Sequence, residues 1–329
     1  MKVNFFEYQK LYLENKAQYK KIFDDVCARG AFILQKDLEN FEKELAKFLR
    51  VKHAIGINDG TNALIISLMA NNIGNGDEVI VPSHTYIASA ASIKLVGAKP
   101  VFADIDRETW TICPKSIEKK ITKKTKAIMV VHLYGHPSKM DEIVKISKKY
   151  KLYLIEDAAP AVGAKYNNKL VGTFGIAAAF SFQGAKLVVS GEGGMIITSN
   201  HLLNKKIKQL AAHGRGNNKK KGTFWIEKIG YKYSMSNIQA ALCLAQFERL
   251  EELIKKKRKI FSWYEKNFKN SEKLKLNKEK KPAKSIYWMT SIILVKEKLK
   301  KKMDGLALSK ILKKKGIDTR PIFPSISTY

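Results

Sequence analysis

One lysine in this chain keeps unusual company. Lys186 lies in AAAFSFQGAKLVVSGEGGMIITS (177–199), among Gly184, Ala185, Leu187, Val188 and Val189, whereas most other lysines have polar neighbours. Withdrawal from water penalises the charged form of an amine, so the pKa falls from its ordinary value of about 10.4. The free amine can then act as a nucleophile towards a carbonyl carbon and afterwards as a proton carrier, which is the chemistry of a Schiff-base lysine. The competing reading is a lysine whose stem packs on apolar surface while its head reaches water. Lys186 by itself fits both.

Such a residue needs a rigid frame, and the first half of the chain spells one out. Phe41 to Phe48 reads as an amphipathic helix, AIGI (54–57) as a short strand and Asn62 to Met69 as a buried helix. The strand EVIVP (78–82), a small-residue helix from Tyr86 to Val96 and the strand PVFADI (100–105) follow. A helix opened by Pro114, the strand AIMVVHL (127–133), a helix from Met140 to Tyr150 and the strand LYLIED (152–157) continue the alternation. Near-continuous apolar strands separated by helices predict an α/β fold with a largely parallel sheet covered on both faces. Ligands of such sheets bind beyond the carboxyl ends of the strands. Asp59 to Asn62, Ser83 to Tyr86, His132 to Gly135 and Asp157 to Pro160 all fall there. An apolar strand also runs into Ser181, and GEGG (191–194) makes a turn before the strand MIIT. Asn237 to Leu253 reads as one amphipathic helix leading to a Lys-rich zone. The expected division is a large domain over 1–256 and a smaller C-terminal α/β domain over 257–329.

A chain of 329 residues with 45% hydrophobic content can fill a large core. The start lacks the layout of a secretory signal and no apolar run is long enough for a membrane span, so a cytoplasmic protein with no membrane partner is expected. Cys27, Cys113 and Cys243 are too dispersed for a zinc site or a disulfide framework, and no metal is expected. The net charge of +31 raises a nucleic-acid reading. Against it, arginine is confined to a few scattered positions and the excess is lysine spread through segments such as ITKKTK and LKKKG. Solvated helix faces give the same composition, while recognition favours the planar fork of arginine. A dinucleotide-dependent oxidoreductase would fit the α/β pattern, but no G-x-G-x-x-G follows a strand.

Several motifs occur in order: NDGTNAL (58–64), GDEVIVPSHTYIASA (76–90), VHLYGHP (131–137), IEDAAPAVGA (155–164), SFQGAK (181–186), GEGGMIIT (191–198) and GYKYSMSNIQAA (230–241). In this set the chain resembles the DegT/DnrJ/StrS-type nucleotide-sugar aminotransferases, a branch of the fold type I pyridoxal-phosphate enzymes, from about Gly30 to its last residue. The resemblance implies that Lys186 forms the Schiff base with pyridoxal 5'-phosphate and moves the proton between substrate carbon and cofactor. It implies that Asp157 pairs with the pyridinium nitrogen, where a carboxylate keeps the ring an electron sink. Gly60, Thr61 and Asn62 would hold the phosphate at a helix N-terminus, with Ser181 adding its hydroxyl and Tyr86 stacking on the ring. The same segments have plainer readings: Asp157 as a helix cap, GTN as an ordinary helix start and Tyr86 as core.

From GYKYSMSN the resemblance implies a homodimer with shared sites, Ser234 or Lys232 reaching the partner's phosphate. A loop of packing tyrosines is the alternative there. His213 and Gly214 match a loop near the sugar, and Arg320 a residue near the nucleotide. Two departures stand out. Pro160 occupies a place where many relatives carry Gln, His or Glu, and the sequence stops at RPIFPSISTY, short of where relatives usually end, so the small domain is expected to be incomplete. A related class with histidine in place of the lysine dehydrates sugars, and Lys186 argues against that. The implied activity is transfer of an amino group from L-glutamate, by way of pyridoxamine 5'-phosphate, to a nucleotide-linked keto sugar for surface polysaccharide. The segments look most like the viosamine- and perosamine-synthase branch, which aminates carbon 4 of 4-keto-6-deoxyhexoses. Alternatives are a 3-keto sugar nucleotide, or a non-catalytic regulatory or nucleic-acid-binding protein on the same scaffold.

Overall fold

The apolar runs fold into strands that are buried on both faces. The structure is a computed structural model and describes residues 2–215, 225–299 and 303–328. Helices α1 (Tyr8–Glu14), α2 (Lys16–Ala28) and α3 (Lys36–Leu49) precede the first strand, β1 (His53–Ile57). The chain then alternates through α4 (Gly60–Ala70), β2 (Glu78–Pro82), α5 (Ile87–Leu95), β3 (Lys99–Ala103), α6 (Pro114–Lys119), β4 (Thr125–Val131), α7 (Met140–Lys149) and β5 (Tyr153–Asp157). A short hairpin of β6 (Lys165–Tyr166) and β7 (Lys169–Leu170) leads to β8 (Ala177–Ser181), β9 (Gly194–Thr198) and α8 (His201–Ala211). Helices α9 (Asn237–Phe247) and α10 (Leu250–Phe268), strands β10 (Leu274–Leu276), β11 (Ala283–Lys284) and β12 (Ile292–Leu294), and helix α11 (Gly305–Lys314) complete the order.

The main sheet has seven strands in the order β1-β9-β8-β5-β4-β2-β3. Strands β3, β2, β4, β5 and β8 run parallel, whereas β9 is antiparallel to β8 and β1 antiparallel to β9. Side chains alternate between two covered faces. Ile57, Val81, Met129, Ile155 and Ala179 pack under α4, α5 and α8 on one face. Ile80, Ile128, Val130 and Leu154 meet α6 and α7 on the other, where α3 and α9 cover Ala178, Phe180 and Met195. This is the fold type I architecture, a mostly parallel mixed sheet between helices.

The helix expected over Asn237 to Leu253 is two helices. A capping box of Ser236 and Gln239 starts α9, but the chain leaves helical geometry at Arg249 (φ −101°, ψ 12°) and restarts at Leu250. The Arg249 guanidinium binds Glu252 in the first turn of α10 and so holds the corner. Helix α10 runs without a break through residues 256 and 257, and β11 pairs with β6, tying the C-terminal zone to the large sheet's connections. Among the described residues no helix is long and apolar enough to cross a membrane.

Candidate active site

Lys186 lies in the loop between β8 and β9, where its amide donates to the Gln183 carbonyl at 2.8 Å. The residue is half-buried, and its Nζ sits 4.3 Å from the centre of the Trp288 ring. The Trp288 indole N–H donates to the Ala185 carbonyl at 2.7 Å, so one tryptophan holds the backbone and covers the amine. Burial pushes the Lys186 ammonium down to about 8, against the opposing pull of Asp157. Asp157 ends β5 and is only 5% exposed. Burial pushes its carboxyl above the usual range, opposed by the Ser89 hydroxyl, by Lys186, by the Ala159 amide and by His132. Ser89 donates to Oδ2 at 2.7 Å and the Ala159 amide to Oδ1 at 3.2 Å. Lys186 and Asp157 sense each other's charge, yet none of the ion pairs among the described residues joins them.

Helix α4 opens beside them. Asp59 caps it, its Oδ1 accepting from the Asn62 amide at 2.8 Å and its Oδ2 from the Asn62 side chain at 2.6 Å. Asn62 is therefore engaged by its own helix cap, unlike the expectation that it faces an anion. The Gly60 and Thr61 amides are the first two of the helix and have no intrahelical acceptor. Gly60 stands against Ser181: a Cβ at residue 60 would lie 2.7 Å from the Ser181 Cβ. Gly194, on the adjacent strand, meets the same constraint, since a Cβ there would lie 2.4 Å from the Asp59 carbonyl oxygen. Glycine at both places lets the start of α4, the end of β8 and the start of β9 meet closely.

An aromatic wall faces these groups. Tyr86 is the N-cap of α5 and 58% exposed, so it is not the core tyrosine of the plainer reading. Its ring lies 5.5 Å from Phe323, which stacks on Tyr134 at 5.5 Å, and Tyr134 in turn stacks on Trp288 at 6.5 Å. The C-terminal segment is fastened here by the Phe323 amide on the Tyr134 hydroxyl (3.1 Å) and the Ile326 amide on the Ser83 carbonyl (2.8 Å).

Other expected residues lie further out. Ser234 bridges Ile57 at the edge of β1, and its hydroxyl donates to the Ala211 carbonyl at 3.3 Å; Lys232 bridges Ala212. His213 follows α8 in the left-handed region (φ 61°), its amide on the Tyr231 carbonyl at 2.8 Å. Arg320 pairs with Asp318 at 2.5 Å and lies 5.3 Å from the Phe5 ring centre. Pro160 is buried in the turn after β5 and offers no side-chain donor.

Other residues at the site are marked only weakly, or not at all, in the sequence. Trp288 sits in the Lys-rich zone, over a hundred positions from Lys186, and only tertiary packing brings it in. Ser89 is one of several serines on a small-residue helix; its i,i+4 spacing from Thr85 was the available signal. His132 and Glu156 form a buried pair on the opposite face of the sheet at 3.0 Å. The Ser138 amide donates to His132 Nδ1, so Nε2 carries the proton and donates to Glu156, which also accepts the amides of Gly172, Phe174 and Gly175. The His132 amide donates to the Asp157 carbonyl at 3.1 Å, anchoring the end of β5.

Pyridoxal phosphate fits this residue set on three observations. A partly neutralised amine and a buried carboxylate act on one another through charge without forming an ion pair. Two helix-start amides lie beside a buried serine hydroxyl in a cradle that a side chain at residue 60 would fill. Apolar and aromatic surface lies over the amine.

Comparison with known proteins agrees with that fit. The model of the DegT/DnrJ/EryC1/StrS aminotransferase family matches residues 14–329. A GDP-perosamine synthase of Escherichia coli O157:H7 is 40% identical over 324 residues, 98% of this chain and 86% of that protein. A pleiotropic regulatory protein of Geobacillus stearothermophilus is 39% identical over 265 residues, 80% of this chain and 70% of its own length. The solved structure of S. venezuelae DesV in complex with a ketimine intermediate superposes with a TM-score of 0.89 at 30% identity, covering 96% of this chain and 82% of that one.

Proposed function

The chain belongs to the DegT/DnrJ/EryC1/StrS aminotransferase family, and from that premise we propose that it uses pyridoxal phosphate to move an amino group from L-glutamate to carbon 4 of a nucleotide-linked 4-keto-6-deoxyhexose. The observation that carries the reading is a desolvated lysine within charge range of a buried carboxylate, near the start of α4. The preference for carbon 4 rests on similarity to GDP-perosamine synthases, which covers most of this chain.

When bound, the cofactor supplies an electron sink for the carbon that loses its proton. The residues of this chain do the rest. Lys186 anchors it through Nζ and then, with a pKa near 8, takes and returns a proton at neutral pH. Asp157 holds a proton at the ring nitrogen, and its burial strengthens that pairing. The Gly60 and Thr61 amides and the Ser181 hydroxyl hold the phosphate. Trp288, Tyr134 and Phe323 keep water from the amine.

His213 is assigned to the sugar side, and the sites are shared across a homodimer, with Ser234 reaching the neighbour's phosphate. Ile229 (90% exposed) and Leu95 (69%) present apolar surface of the kind a second subunit covers. The enzyme works in the cytoplasm and serves surface-polysaccharide synthesis. Dimerisation is checked by sedimentation, and sharing by mixing a Lys186→Ala chain with a Ser234→Ala chain, which should restore a fraction of the activity.

The central test is spectroscopic. Purified protein with added pyridoxal phosphate should show the visible band of a lysine-bound cofactor; L-glutamate should remove it, and a nucleotide-linked 4-keto-6-deoxyhexose should bring it back. No band in the wild type, or an undiminished band in Lys186→Ala, overturns the proposal. A panel of 4-keto and 3-keto sugars on different nucleotides decides the position aminated. The second reading, a regulator on this scaffold, is favoured by the resemblance to the Geobacillus regulatory protein. A cofactor band that glutamate leaves unchanged would favour it.

A further inference from the structure

Behind Asp157 runs a line of two hydroxyls. Ser89 Oγ lies 2.7 Å from Asp157 Oδ2, and Thr85 Oγ1 lies 3.2 Å from Ser89 Oγ; both side chains are 1% exposed. The direction of the chain follows from proton count. The ionised carboxylate can only accept, so Ser89 gives its single proton to Asp157, and the contact with Thr85 is then Thr85 donating to Ser89. Thr85 precedes α5 and Ser89 lies in its first turn, four residues on, so one helix start aims both at the end of β5.

A carboxylate this deeply buried takes up a proton unless donors hold it ionised. Few groups face it. Lys186 acts from the β8–β9 loop through its charge, and His132 stands at the end of β4 with its amide on the Asp157 carbonyl. Glu156, the neighbour on β5, is turned to the opposite face and spent on His132 and three amides. Direct donors are the Ala159 amide at 3.2 Å and the shorter, better-placed Ser89 hydroxyl. We propose that Ser89, oriented by Thr85, is a positioning residue that keeps Asp157 ionised and rotationally fixed for the ring nitrogen of the cofactor. This rests on the role proposed for Asp157 as the partner of that nitrogen.

The experiment uses the full-length cofactor-loaded protein, with pyridoxal phosphate labelled with 15N at the ring nitrogen. In wild type the nitrogen resonance should report a protonated ring. In Ser89→Ala it should move towards the neutral pyridine position, and the dissociation constant for the cofactor should rise about tenfold, the scale of one charge-assisted hydrogen bond. Ser89→Thr, which restores a hydroxyl, should recover both readouts, which a purely structural role for residue 89 does not require. Thr85→Val should shift the resonance in the same direction by less. An unchanged resonance and affinity in Ser89→Ala overturns the proposal. If that variant does not fold, Thr85→Val decides, a shift supporting the relay and an unshifted resonance overturning it. A wild type that binds no pyridoxal phosphate at all instead sinks the functional reading on which the relay rests.

Discussion

Lys186 and Asp157 are each costly to the folded chain, and their costs have opposite pH dependence. The Lys186 pKa of about 8 lies below its ordinary 10.5, so the unfolded chain binds more protons between those values. Stability from this group is fully present above about pH 10.5 and is lost as pH falls through about 8. Lys186→Met should therefore flatten the rise in stability across that window, read as Tm against pH in the cofactor-free protein. The same shift makes Lys186 the early-reacting lysine. Acylation followed by peptide mass analysis should show its labelling rising with a midpoint near pH 8, while exposed lysines lag. Asp157 behaves inversely: its raised pKa makes its contribution present below the usual carboxylate range and lost as pH rises through the folded value. Asp157→Asn should then raise the Tm of the cofactor-free protein at neutral pH by about 2 °C while abolishing transamination. A lowered Tm would show that the carboxylate is better compensated than its burial suggests.

At the level of elements, the cradle proposed for the phosphate depends on how closely α4, β8 and β9 approach. Gly60→Ala places a methyl 2.7 Å from the Ser181 Cβ, so one element must retreat. The expected cost is about 1–3 kcal/mol of stability, with a loss of cofactor affinity beyond that of Ser181→Ala, both measurable by denaturation and equilibrium dialysis. The capping box of α9 is a contrasting control. Ser236→Ala should cost about 1 kcal/mol and leave cofactor binding intact, because Ser236 and Gln239 bond one another at the helix start. The break between α9 and α10 shows where helical periodicity misleads. The apolar pattern continues smoothly through Phe247 to Leu253, but Arg249 leaves helical geometry and clasps Glu252, a choice made by packing and not by propensity.

For the whole molecule, the charge of +31 and the compositional zones are the broadest features, and they say least about chemistry. The excess lysines lie on many separate elements, so retention on DNA should vanish at physiological ionic strength; a salt-resistant complex would revive the nucleic-acid reading. Much of the fold was legible because apolar runs of strand length alternate with helices, and a sheet buried from water on both faces requires that pattern. The strand-end positions of Asp157 and Ser181, and the odd apolar setting of Lys186, were likewise written in local sequence. Local order also determined that Gly60 and Thr61 open a helix, since Asp59 is a cap wherever it stands before one. What only the tertiary structure decided is which groups meet across long separations. Trp288 covers Lys186, Ser89 reaches Asp157 at the end of β5 from helix α5, and Arg320 pairs with Asp318 beside Phe5. Such contacts depend on how elements pack and on which buried polar groups need partners, and that requirement has no local pattern for a sequence to display.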